Sequence, residues 1–135
     1  MKLRVRGNSV RFRLTRTELD ILRDTGRIAE RTEFPQSQSL TYALRVDAIG
    51  DSLSAAFAAG ELSISIPTAM LERWLSPQEV GISNVLPLPG GQSLAVLIEK
   101  DFPCLTPRVG EDESDAFDRP DAEAVPHCTD DRSRS

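Results

Sequence analysis

Residues 2–15, KLRVRGNSVRFRLT, decide how the fold is read. With Gly7–Asn8 as a two-residue turn, which suits residues that tolerate positive φ, Val5 lies opposite Val10 and Leu3 opposite Phe12. On the other face Lys2 meets Arg13, Arg4 meets Arg11 and Arg6 meets Ser9. The alternation is strict, so it predicts a half-buried strand pair with an apolar side turned inward and a cationic side turned out. Thr15-Arg16-Thr17-Glu18 then has the form of a capping box, and Leu19, Ile21 and Leu22 are the expected buried stripe of a short helix. Gly26 can end that helix in the left-handed conformation. Two further strands, RIAERTEF and SLTYALRVD, complete a ββαββ unit.

A shift of 52 residues finds the pattern again. In SLSAAFAAGELSISIP the turn falls at Ala59–Gly60, so Phe57 faces Leu62, Ala55 faces Ile64 and Leu53 faces Ile66. Pro67 opens a second helix, a position where proline is tolerated, and Leu71 and Trp74 take the places of Leu19 and Leu22. Strands EVGISNVL and QSLAVLIEK close the unit across Pro89-Gly90-Gly91. The same order of turn, apolar alternation, helix start and helix stripe in both halves predicts an internal duplication. The expected fold class is α+β: duplicated ββαββ repeats, about residues 1–48 and 52–101, forming a small eight-stranded barrel or sandwich with two short helices. Closure into a barrel would remove the edge strands that invite aggregation. The duplicated domain is expected over 1–103 and an acidic, disordered tail over 104–135, which lacks any apolar period.

The chain is acidic overall, with a formal charge of −5, but its charge is unevenly spread. Residues 1–45 balance to +5, residues 46–100 to −4 and residues 101–135 to −6. No apolar run follows the first lysine and no stretch is long and apolar enough to span a bilayer. The expectation is therefore a cytoplasmic protein with no membrane partner, its two cysteines reduced.

Two resemblances rest on these residues. MKLRVRGNSVRFRLT, TYALRV, LIEKDFPCLTPR and EDESDAF together resemble a small uncharacterised bacterial family of unknown function, over nearly all of residues 1–118. That resemblance implies no activity. Each half, through RGNSVRFRLTRTELDIL and ELSISIPTAMLERWL, also resembles the swapped-hairpin barrel of the AbrB and MazE antitoxins. Gly7-Asn8-Ser9 matches the turn of MazE-type members and Ile66–Pro67 their strand-to-helix step. This second resemblance implies a fused pseudo-dimer whose basic surface meets DNA; as an analogy of fold it does not by itself assign a function.

Lys2, Arg4, Arg6, Arg11 and Arg13 are the candidate binding residues, for an anionic group or an unknown protein partner. Like charges directly opposite each other cost roughly several tenths of a kcal/mol per pair unless an anion is near. The second repeat offers only Ser54, Ala56, Glu61, Ser63 and Ser65 on the matching face, so only one side is expected to touch phosphate. An acidic protein also lacks the usual footprint of a nucleic-acid binder, which places nucleic acid second among partners. The acidic tail is a further candidate, folding back onto the arginines.

Cys104, His127 and Cys128 are the only soft metal ligands, and their spacing is unlike the paired ligands of structural zinc sites, which makes a metal-binding protein the third reading, after a binding or accessory protein and a nucleic-acid-binding regulator. Catalysis has little to rest on. His127, the one histidine, lies in the tail, so a serine or cysteine nucleophile lacks the usual base. No enzyme activity and no cofactor are expected, and the most economical reading is a small binding or accessory protein.

Overall fold

The computed structural model describes residues 1–102 and Phe117. Its elements follow the expected order: β1 (Lys2–Arg6), β2 (Ser9–Leu14), α1 (Arg16–Thr25), β3 (Arg27–Phe34), β4 (Gln38–Asp47), β5 (Ser54–Ala58), β6 (Glu61–Pro67), α2 (Thr68–Leu75), β7 (Gly81–Pro87) and β8 (Ser93–Lys100). The first hairpin has the register its alternation predicts, with Val5 opposite Val10, Arg4 opposite Arg11 and Lys2 opposite Arg13. At its turn Gly7 takes φ 52°, whereas Asn8 is not among the residues with positive φ. One left-handed residue at the first turn position suffices to match the strand twist in the type II′ geometry.

α1 starts with the complete capping box. The Thr15 hydroxyl accepts from the Glu18 amide, and the Glu18 carboxylate accepts from the Thr15 amide at 2.8 Å. Gly26 closes the helix at φ 82°. Leu19 and Leu22 are buried, but Ile21 is 42% exposed. Successive helical residues turn by about 100°, so Ile21 stands roughly 200° from Leu19 and cannot share its face. Pro67 is the last residue of β6 and the cap of α2, which has no side-chain cap; Met70, Leu71 and Trp74 form its buried face. Leu53 is buried but precedes β5, whose pairing with β6 begins at Ser54 opposite Ser65.

The strands form two four-stranded sheets, in the orders β1-β2-β8-β7 and β3-β4-β6-β5. Each sheet therefore takes one hairpin from each repeat, joined through a parallel pair at its centre: β2 with β8, and β4 with β6. Exchanging the repeats turns one sheet into the other. The equivalence holds residue by residue. In the β2–β8 pair Val10 sits beside Val96; add 52 to the first and take 54 from the second, and Leu62 beside Tyr42 results, as observed. The offset grows by two between the helix and the second hairpin, where Ser76 to Val80 replaces Gly26 as the connection. Bonds outside the ladders repeat as well: Thr41 donates to Gly60 O and Ala95 to Asn8 O, Val46 to Gly26 O and Lys100 to Val80 O. This is the register an internal duplication produces.

The sheets do not close into one barrel. Each ends in two edges, β1 and β7 in one, β3 and β5 in the other, so the arrangement is sandwich-like. One core serves both layers: Val10, Phe12, Leu14, Leu44, Ile64, Ile66, Val96 and Ile98 from the strands with Leu22 and Trp74 from the helices. Among the described residues no helix is long and apolar enough to cross a membrane.

Candidate functional site

The five cationic residues singled out in the sequence all stand on the outer face of the first sheet. Phe12 and Val10, which alternate with Arg11 and Arg13 along β2, turn into the core, so the pleat sends Arg11 and Arg13, and with them their neighbours Lys2, Arg4 and Arg6 on β1, the other way. β8 extends this face. Across the sheet, Lys2, Arg13 and Glu99 form one row, Arg4, Arg11 and Leu97 the next, and Arg6, Ser9 and Ala95 the third.

Glu99 answers part of the charge. Its Oε1 lies 2.5 Å from Arg11 Nε and 3.5 Å from Arg13 Nε, and Lys2 Nζ lies 3.5 Å from Asp101 Oδ2. Among the described residues, these two carboxylates stand at the end of the strip away from the turn. Towards the turn, Arg4, Arg6, Arg11 and Ser9 line an open depression of about 260 Å³. The Ser9 hydroxyl donates to Arg6 O at 2.7 Å, within the turn. Arg6 is exposed and makes no ion pair among the described residues.

The opposite sheet carries cations on its outer face as well. The second repeat does bring Ser54, Ser63, Ser65 and Glu61 to that outer face, but hairpin exchange sets them beside Arg27, Arg31 and Arg45 of the first repeat. These arginines are locally engaged. Arg45 Nε donates to Ser65 Oγ at 2.9 Å, Arg31 pairs with Glu33 at 2.7 Å, and Arg27 reaches Glu61 at 3.8 Å. The face is mixed in sign, without the concentration found on the first sheet.

Two other clusters were not foreseen. The Met1 ammonium is held by the carboxylates of Glu18 and Glu30. Lys100 is only 5% exposed, and its Nζ donates to Ser76 O at 2.8 Å. Burial pushes the Lys100 ammonium below the ordinary lysine value, and Glu79 partly opposes this. Phe117 packs here, its ring 5.4 Å from Lys100 Nζ and 5.7 Å from the Arg16 guanidinium carbon, with its amide donating to Asp101 O at 2.8 Å. It belongs to the segment expected to be tail, yet it lies against the core cluster. The remainder of that segment, including Cys104, His127 and Cys128, lies outside the described residues, and among the described residues no group of His, Cys, Asp and Glu could hold a metal.

Fold and site together define a duplicated, hairpin-exchanged α+β protein with one cation-rich sheet face. The chain belongs to a family of unknown function, DUF7009, which it matches over residues 1–121. No curated protein and no solved structure gives a significant match.

Proposed function

We propose that this is a small non-catalytic binding protein, acting in the cytoplasm, whose first hairpin docks an anionic surface of a partner. The observation that carries the reading is the separation of charge along the strip: Glu99 and Asp101 sit at one end, while Arg4, Arg6 and Arg11 surround a depression at the other. Arg6, exposed at the turn end, makes no ion pair among the described residues, and such a cationic patch steers and orients an acidic partner more than it adds raw affinity. Titration of the protein with polyglutamate at low and high salt tests this. Binding that weakens with salt and is lost in Arg4→Glu/Arg6→Glu supports the proposal; binding that the double variant leaves unchanged refutes it.

Residues 108–135 are an intramolecular competitor in the same proposal, brought back to the domain where Phe117 meets Asp101. Deleting them should increase polyglutamate binding at low salt, and equal binding by the two chains removes this element alone. A nucleic-acid ligand is the second reading, favoured by the exchange of hairpins between repeats and the five cations on one face. It requires the affinity for random-sequence duplex to fall steeply with salt, about one logarithmic unit per unit of log salt for each phosphate engaged.

A further inference from the structure

We infer that β5 is an interface: two copies of this chain pair edge to edge through it, antiparallel, with Ala56 on the twofold axis. The surface belongs to the second sheet, so it does not depend on what the cationic hairpin of the first sheet binds.

The two sheets leave four edge strands, and these are guarded unequally. β1 carries Lys2, Arg4 and Arg6, and β3 carries Arg27, Glu30, Arg31 and Glu33, the kind of charge with which an edge strand resists pairing with another chain. β7 has no charge, but it ends on Pro87, which has no amide hydrogen to give. β5 has neither safeguard. Its sequence is SAAFA, and among the described residues it ladders with β6 alone. The internal repeat sharpens the contrast. By the offset of 52, Lys2, Arg4 and Arg6 of β1 correspond to Ser54, Ala56 and Ala58 of β5. The edge that the first repeat arms with three cations carries none of them in the second. Phe57 gives this edge something to bury. It stands where β1 has Val5, faces Leu62 on the core side of the sheet and is 68% exposed, more than any other aromatic ring among the described residues.

Charge and size name the occupant. β5 offers no ion to an acidic or a basic segment, but it is complementary to itself. With Ala56 opposite Ala56, each Phe57 lies against the small Ala55 of the partner subunit, and each Ser54 against Ala58 of the partner subunit. No large residue meets a large one and no charge meets its like. The same pairing of β1 would set Arg4 against Arg4 and Lys2 against Arg6 of the partner subunit. The product is one sheet, β3-β4-β6-β5 continued by the same strands of the partner in reverse order, and an isologous contact of this kind closes without propagating. A pair of five-residue strands buries little surface, so the dimer belongs to the weak class, with a dissociation constant of about 0.1 mM.

Sedimentation equilibrium of the full chain at low salt, from about 10 μM to about 1 mM, tests the interface. The mass should climb with concentration towards twice that of the chain. Ala56 supplies the variants, because its side chain is exposed on the outer face and a change there leaves the core untouched. Ala56→Lys and Ala56→Glu should each weaken dimerisation about fivefold, since like charges then meet on the axis. An equimolar mixture of the two should recover the parental affinity, which shows at once that both variants fold and that position 56 faces itself. Ser83→Lys, on the β7 edge, should change nothing. A chain that stays monomeric at about 1 mM overturns the inference without recourse to any variant. So does a dimer that Ala56→Lys leaves intact or that Ser83→Lys abolishes, and a mixture that remains monomeric overturns the register.

Discussion

Glu99 Oε1 lies 2.5 Å from Arg11 Nε, so a carboxylate of the acidic second repeat holds an arginine of the basic first one across a parallel strand pair. Glu99 is therefore the local brake on the cationic face. In Glu99→Gln the same length of side chain remains but the charge is gone, and Arg11 and Arg13 lose a shared counter-ion. Polyglutamate affinity at low salt should rise roughly three- to tenfold, an effect that shrinks towards physiological salt. The stability cost should stay under about 1 kcal/mol, because both partners keep contact with water. Titration and urea unfolding on one preparation read both quantities.

That pair also marks where the sequence stops being legible. Each hairpin could be read because alternation and turn chemistry are local: Val5 opposite Val10 follows from the residues between them. The contact between Arg11 and Glu99 depends on β2 lying beside β8, a long-range parallel pairing that no local period announces. No local period announces the hairpin exchange that sets Arg45 against Ser65 either; only the likeness to a swapped-hairpin barrel pointed that way. Ile21 is a different kind of miss. Its angle to Leu19 on a helix was available from the spacing alone.

Lys100 yields a pH prediction. Its equivalent in the first repeat, by the offset of the second hairpin, is Val46, so one repeat carries an ammonium where the other has an apolar side chain. The folded-state value of Lys100 is lowered by burial, so between that value and the unfolded one near 10.4 the unfolded chain binds more protons. Stability attributable to Lys100 therefore rises with pH through that window. Tyr42, raised by burial and by Glu30, opposes it, because the unfolded tyrosine loses its proton first. The comparison must be between parent and Lys100→Met at each pH. Urea midpoints from pH 7 to 10.5 should show the parent gaining on the variant, and parallel curves would refute the assignment.

Glu18 has two tasks: it caps α1 through the Thr15 amide and contacts the Met1 ammonium. Thr15→Ala removes only the cap and should cost about 1 kcal/mol. Glu18→Ala also takes a carboxylate from an ammonium whose other partner is Glu30, so its cost should be larger, about 2 kcal/mol. Thermal unfolding of the two variants ranks them; equal losses would mean that the Met1 contact contributes nothing.

Gly60 tests the duplication directly. Its equivalent is Asn8, whose side-chain amide donates to Ser93 O at 3.1 Å, and the carbonyl equivalent to Ser93 O is that of Ser39. At Gly60 the chain runs at φ 76°, and a Cβ would stand 2.8 Å from Ser39 O. One repeat thus fills this place with a bonding amide and the other keeps it bare so that two backbones can approach. Both a left-handed φ and a backbone clash oppose any side chain, so Gly60→Ala should cost about 1–3 kcal/mol. Asn8→Gly loses one exposed hydrogen bond and should cost less than about 1 kcal/mol. If urea unfolding finds the two changes equally harmful, the two turns are not the divergent copies that the register makes them.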